Sequence, residues 1–496
     1  MIEVLFQGFL TIFRLDVFAF MVLGVLIGLV FGIIPGIGGL AALSMLLPMV
    51  WGMNPEVALV FLLSITCATS QGGSITAVLI NVPGTGPNAA TLLDGYPMAQ
   101  QGKAGRALAA VLTSGALGGI FGGILMIALI PIVRPMVLSF GSPELFFLVL
   151  LGISFITAIA EGKMLKGLVS GGIGILLALF GYQMTTGIPR FSFGTEYLED
   201  GIKLIPLTLG LFAFPEVIDL AVGGEACSRT GKSVAKIGSD LFEGVKDVFR
   251  HFWLFLRCSA IGTIIGIIPG VGAEVATFIC YGHAKQTSKH PEMFGKGTVE
   301  GVIAPESASN AKEGGALLTT LAFGIPGSAA MALLLGAFLV VGITPGPKML
   351  EQHLALSFSL AWTSIIANVI SSIILLIFAR QFVKVTFIDV RIMAPFILVF
   401  ATIGAYSVGG NMFDVVTAFL FTIVGYGAKH LGYNRAAMIL GFVLGNLAET
   451  YFLISLNSYG AGFFLRPISI ILIIITILGM SSDILFKFWA RRRWRS

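Results

Sequence analysis

Apolar residues run in blocks too long for the core of a soluble domain. None of residues 17–55, 57–93, 107–133 or 314–347 is Asp, Glu, Lys or Arg, and each block exceeds the ~20 residues that one membrane-crossing helix needs. Several blocks must therefore hold more than one helix or a re-entrant hairpin. Spans are predicted at about 17–35, 56–80, 107–133, 143–160, 165–184 and 203–222. After a polar stretch they resume at 252–270, 314–341, 354–380, 392–410, 412–429, 436–456 and 465–488. Shorter apolar pieces at 38–50, 271–283 and 299–311 read as half-helices or hairpin arms. The expected fold is an all-α polytopic membrane protein with about 11–14 embedded helices, broken helices or re-entrant hairpins among them.

One phrase occurs twice. Gly28-Leu-Val-Phe-Gly-Ile-Ile-Pro-Gly-Ile-Gly38 returns as Gly262-Thr-Ile-Ile-Gly-Ile-Ile-Pro-Gly-Val-Gly272, with seven of eleven positions identical. Small residues at every fourth position let helices approach closely, and Pro-Gly then breaks the helix. A break in apolar sequence frees backbone groups that lipid cannot satisfy. Equivalent breaks in two halves of a membrane chain point to a transporter's binding site. A looser second match follows. Ser70-Gln-Gly-Gly-Ser74 precedes Asn81-Val-Pro-Gly-Thr-Gly86, and Ser307–Gly315 precedes Phe323-Gly-Ile-Pro-Gly-Ser328. From Gly-Gly to Pro-Gly is eleven residues in one copy and twelve in the other. Each half thus reads as break, polar Gly-Gly hairpin, second break. The halves are expected at 1–222 and 251–460, inverted relative to one another, with a polar cytoplasmic linker at 223–250 and a C-terminal helix and basic tail at 461–496.

Composition closes off the soluble classes. The chain has 496 residues, 56% hydrophobic and 11% charged, against roughly 25% charged in soluble domains. Its net charge of +5 sits in short loops and in Arg491-Arg-Arg-Trp-Arg495. That distribution suits the positive-inside rule better than nucleic-acid binding. Cys67, Cys227, Cys258 and Cys280 have no paired spacing and read as free thiols. Met1–Leu15 lacks a basic n-region and a cleavage site, so the first helix is expected to direct insertion. Within it, Ile2–Gly8 resembles an engineered protease-recognition sequence, and no function rests on it.

The breaks carry the candidate chemistry. A helix N-terminus offers free N–H groups and about half a positive charge, and helices restart after Gly36, Gly84, Gly270 and Gly327. Candidate substrate residues are Gly36, Ser70, Gln71, Gly72, Gly73, Ser74, Asn81, Gly84, Thr85, Gly270, Ser309, Asn310, Gly314, Gly315, Pro326, Gly327 and Ser328. Uncharged hydroxyls and amides suit a carboxylate that must bind and then leave, and interhelical hydrogen bonding would use the same groups. Gly38, Thr76, Gly272, Glu274 and Glu306 are candidate neighbours of a Na⁺ ion. Lys312 could meet a substrate carboxylate or pair with Glu313 or Glu306. No cofactor is expected, and no catalytic constellation is present in the sequence. An anion channel lined by the same breaks remains an alternative. The doubled Gly-x-x-x-Gly sets at Gly24–Gly32 and Gly115–Gly123 read as internal packing, with a homo-oligomer as the other reading.

Three segments together resemble a known family. They are Gly32-Ile-Ile-Pro-Gly-Ile-Gly-Gly39, the block from Ser70 to Gly86, and Asp94-Gly-Tyr-Pro-Met-Ala…Gly102-Lys-Ala-Gly-Arg106. With Pro305–Gly315, Phe323–Gly327 and Gly342–Pro347, they resemble the large membrane subunit of tripartite tricarboxylate transporters, the TctA family. The resemblance implies a bacterial inner-membrane secondary transporter. It would work with a small membrane subunit of about four helices and a periplasmic solute-binding protein. The implied substrates are organic carboxylates such as citrate, taken up with Na⁺ or protons. An elevator-like division into transport and scaffold parts is expected.

Overall fold

The computed structural model describes residues 1–34, 38–154, 164–183, 187–223, 240–269, 272–385, 390–407 and 409–477. Gly36, Gly270, Cys227, most of the expected linker and the basic tail lie outside the described residues. Helices dominate. The first half carries α1 (Ile2–Ile12), α2 (Leu15–Ile33), α3 (Gly38–Leu46), α4 (Pro55–Ile80), α5 (Asn88–Gln100) and α6 (Ala104–Leu138). Next come α7 (Ser142–Ser154), α8 (Met164–Ala178), a two-residue strand pair, and a π-helical turn at Leu209–Ala213 leading into α9 (Phe214–Gly223). The second half carries α10 (Leu241–Arg250), α11 (Phe252–Ile267), α12 (Gly272–Thr287), α13 (Glu300–Phe323), α14 (Ala329–Val340), α15 (Pro347–Gln352) and α16 (Leu354–Val385). Three further long helices follow, α17 (Val390–Ser407), α18 (Met412–Leu431) and α19 (Arg435–Tyr459), and a shorter one at Pro467–Ile477 ends the described residues. Six helices are long and apolar enough to cross a membrane, and six shorter apolar helices accompany them among the described residues. The chain is a polytopic all-α membrane protein.

The repeat is structural as well as sequential. Ile34 and Ile268, which end α2 and α11, share φ −82° and ψ 111°. Gly38 and Gly272 then restart the chain with φ of +66° and +77°, a region that favours glycine. The long helices α4 and α13 both end on a left-handed residue, Asn81 and Gly324. Small residues decide how each pair packs. A Cβ on Gly24, Gly28 or Gly32 of α2 would collide with the carbonyls of Phe61, Ile65 or Thr69 on α4. Gly262 and Gly266 of α11 lie in the same way against the carbonyls of Ala308 and Lys312 on α13. Reciprocally, Gly72 abuts the Leu29 carbonyl and Gly315 the Thr263 carbonyl.

These contacts correct the sequence reading in three places. Ser70–Ser74 and Ser307–Gly315 are not hairpins, since they lie inside the continuous helices α4 and α13. The glycines there serve close backbone approach, and Thr69 spends its hydroxyl on a carbonyl one turn earlier. Second, the span expected at 314–341 is two helices parted at 324–328, and the piece expected at 299–311 belongs to α13. Glu306, Lys312 and Glu313 interrupt the apolar signal without interrupting the helix. Third, the stretch from each Gly-Gly pair to the following Pro-Gly aligns without a length difference, while the second half is nine residues longer between its first break and its long helix. Pairing Thr69 with Lys312, Gly72 with Gly315, Asn81 with Gly324 and Gly84 with Gly327 keeps one constant interval.

The Gly115–Gly123 stripe of α6 serves internal packing. Gly118 and Gly122 lie against α13 carbonyls, while Gly119 and Gly123 lie against Asn368 and Ile365 of α16. Helix α10 meets α11 at a 75° bend and is held by the Arg106–Asp247 ion pair at 2.5 Å. Cys67, Cys258 and Cys280 are buried free thiols.

Candidate functional site

The residues that follow all four breaks line one cavity of about 1250 Å³. Gly38 and Gly39 begin α3, Thr85 and Gly86 precede α5, Gly272 and Ala273 begin α12, and Ser328 and Ala329 begin α14. Four helix N-termini therefore open onto the same space, each with first-turn N–H groups that lack partners within their own helix. Their partial positive charges add there. At α14, Ser328 Oγ accepts the Met331 N–H at 3.3 Å, and its own hydroxyl hydrogen remains to donate. At α5, Thr85 donates from both its N–H and its Oγ1 to Asn88 Oδ1, at 3.2 and 2.5 Å.

Charged groups enter the cavity from three sides. Lys312 and Glu313 come from α13, Glu274 from the first turn of α12, and Glu216 and Arg435 from α9 and α19. Arg435 bonds Glu216 at 3.1 Å and Lys429 bonds it at 2.6 Å. Glu274 leans across the α5 entrance, where a Cβ on Gly86 would collide with its carboxylate. A carboxylate of the chain itself thus rests between two of the helix starts.

Behind the cavity wall, polar groups knit the halves together. Ser70 Oγ and Ser309 Oγ are 3.2 Å apart. Glu306, 1% exposed, accepts at Oε1 from Ser74 at 3.0 Å, Thr91 at 2.5 Å and Asn88 at 3.4 Å. Gln71 donates to Asn368 at 3.2 Å and accepts from Ser372 at 2.6 Å.

Of the residues proposed from sequence, Ser70, Thr85, Ser328, Gly38, Gly272 and Glu274 line the cavity. Gln71, Ser74, Ser309 and Glu306 belong to the interhelical network. Gly72, Gly73, Gly84, Gly314, Gly315 and Gly327 sit at close helix approaches, with Pro326 buried beside the last. Thr76 donates to the Gly73 carbonyl at 2.9 Å, and Asn81 is an exposed helix cap. Asn310 is buried against Gly115. Sequence reasoning missed Glu216, Arg435, Asn368 and the role of Asp94. Glu216 and Arg435 could have been found as opposite charges at the edges of apolar spans.

Broken helices in duplicate around one cavity that charged groups enter suit a membrane transporter, and the family match gives that class. Residues 18–440 match the model of the tripartite tricarboxylate transporter TctA family, and the chain belongs to that family. It is 38% identical over 432 residues to an uncharacterised 52.8 kDa protein in the TAR-I ttuC' 3' region of Agrobacterium vitis, covering 86% of this chain and 84% of the relative. A second Agrobacterium vitis protein, in the TAR-II ttuC' 3' region, is 40% identical over 190 residues, covering 38% of this chain and 78% of the relative. No solved structure matches the chain.

Proposed function

We propose that the chain is the ion-coupled translocating subunit of an inner-membrane importer of organic carboxylates, and that the four-break cavity is its substrate site. It would receive solute from a periplasmic binding protein and act beside a small membrane subunit. The observation that carries this reading is the convergence of four helix N-termini on one cavity. Such ends suit an anion that must be released again, because they attract it without a full opposite charge. The position of the Glu274 carboxylate over Gly86 supports the same chemistry.

The halves are inverted repeats. The equivalent helices α4 and α13 touch through Ser70–Ser309 and Ser74–Glu306, so numbering rises on one as it falls on the other. The equivalent α6 and α16 do likewise through Gly119–Asn368 and Gly123–Ile365. The lining of the cavity by Glu216 of α9 and Arg435 of α19 supports an elevator-like division between this core and the remaining helices.

Reconstituted with its cognate binding protein and small subunit, the chain should drive saturable carboxylate uptake that ends when the ion gradient is dissipated. Uptake persisting as an ungated conductance would favour a channel. Ser328→Ala should raise the uptake KM about tenfold, the loss of one hydrogen bond to a charged ligand, with folded protein retained. An unchanged KM would remove Ser328 from the site.

A further inference from the structure

We propose that Lys312 and Glu313 form a charge-exchange pair that couples anion binding to cation binding. The proposal rests on the carboxylate reading of the cavity. Lys312 is 1% exposed, and its Nζ donates to Glu313 Oε1 at 2.8 Å. Both residues line the cavity. Glu313 Oε2, by contrast, is buried with no partner. Asn310, one turn earlier on the same face of α13, has both side-chain polar atoms buried and unpartnered, as does Ser364 Oγ on α16. Glu313 Oε2 and the Asn310 amide oxygen, one turn apart on the same face of α13, are thus both without a partner where Glu313 meets the cavity.

The exchange follows from the cost of a lone buried charge. An arriving carboxylate attracts the Lys312 ammonium and loosens it from Glu313. Glu313 alone in that position is strongly unfavourable. A small cation at Oε2, shared with Asn310 Oδ1, relieves it. Each ligand therefore makes room for the other, and the linkage is reciprocal. The other charged groups around the cavity favour the same sign. Glu274 faces it from α12 as a second carboxylate, while Glu216 from α9 is already bound by Arg435 and Lys429. The equivalent positions in the first half are Thr69 and Ser70, both neutral, so the device exists once per chain. Na⁺ and H⁺ share the required chemistry.

The test uses the purified full chain and calorimetric binding of acetate, succinate and citrate. One arm varies Na⁺ against choline at fixed pH, and the other varies pH without Na⁺. The wild type should bind its best carboxylate about tenfold tighter with the coupling cation present. Na⁺ sensitivity assigns the site to Na⁺, and pH sensitivity alone assigns it to the proton. Glu313→Gln should change by less than about twofold across the same range. Because Glu313→Gln strands Lys312, the paired Lys312→Gln/Glu313→Gln variant is measured beside it. Folded by size-exclusion profile, it should bind more weakly and without cation dependence. Cation dependence surviving in either variant overturns the pair, as does a wild type that binds with no cation dependence. Failure of the wild type to bind any of the three would overturn the proposed function itself, and this inference with it.

Discussion

Replacing Gly266 by Val should leave no monodisperse folded protein, and Gly32→Val should do the same in the first half. A Cβ at either position would run into a backbone carbonyl, Lys312 O or Thr69 O. Backbone inside two packed helices cannot yield as a side-chain end can. The expected cost exceeds about 3 kcal/mol, the upper range for overpacking, and Val adds two further methyls. Gly282→Ala in α12 is the control, since nothing lies within 4 Å of its Cβ position. It should leave stability unchanged or raise it by about 0.5–1 kcal/mol through helix propensity. Thermal unfolding of the detergent-purified proteins gives the comparison. Equal melting temperatures for Gly266→Val and Gly282→Ala would show that α11 does not pack on α13 as described.

Asp94→Ala should produce the second large loss, and by a different route. Asp94 is fully buried. Its Oδ1 accepts the N–H groups of Gly295, Gly297 and Thr298 at 2.9, 2.8 and 3.0 Å. Its Oδ2 accepts the Tyr281 hydroxyl at 2.9 Å. One carboxylate thus ties α5 to α12 and to the turn that starts α13, where the helix dipole favours a negative charge. Alanine leaves three amides without an acceptor, each costing about 1–3 kcal/mol if water cannot reach it. Asp94→Asn keeps an acceptor oxygen and should lose less, and Tyr281→Phe should lose only about 1 kcal/mol. Uptake by Asp94→Ala should fall with the folded fraction. A melting order with Tyr281→Phe below Asp94→Ala would contradict the latch.

The sequence made the duplication and the breaks legible because they depend on residue types with few uses. Pro-Gly in apolar sequence can only interrupt a helix, and glycine at every fourth position marks a face that backbone can approach. The family was equally readable, from motifs that span most of the chain. Other features were not legible. Ser70–Ser74 and Ser307–Gly315 have hairpin composition, yet they stay helical because Gly72 and Gly315 dock on carbonyls of α2 and α11, a tertiary fact. Gln71, Ser74, Ser309 and Glu306 looked like ligands because interhelical bonding and substrate binding draw on the same side chains. Only their partners separate the two uses. Asp94 stood in a recognised motif, but its three amide donors lie some two hundred residues further along. No local pattern foretells that pairing.

The central claim is that the four helix starts jointly hold an anion, and electron cryomicroscopy of the full chain with saturating citrate tests it most directly. The account predicts density in the cavity within hydrogen-bonding distance of backbone amides at the starts of α3, α5, α12 and α14, with Glu274 moved off Gly86. Citrate bound elsewhere, with the four N-termini still facing an unfilled space while uptake saturates, would contradict it.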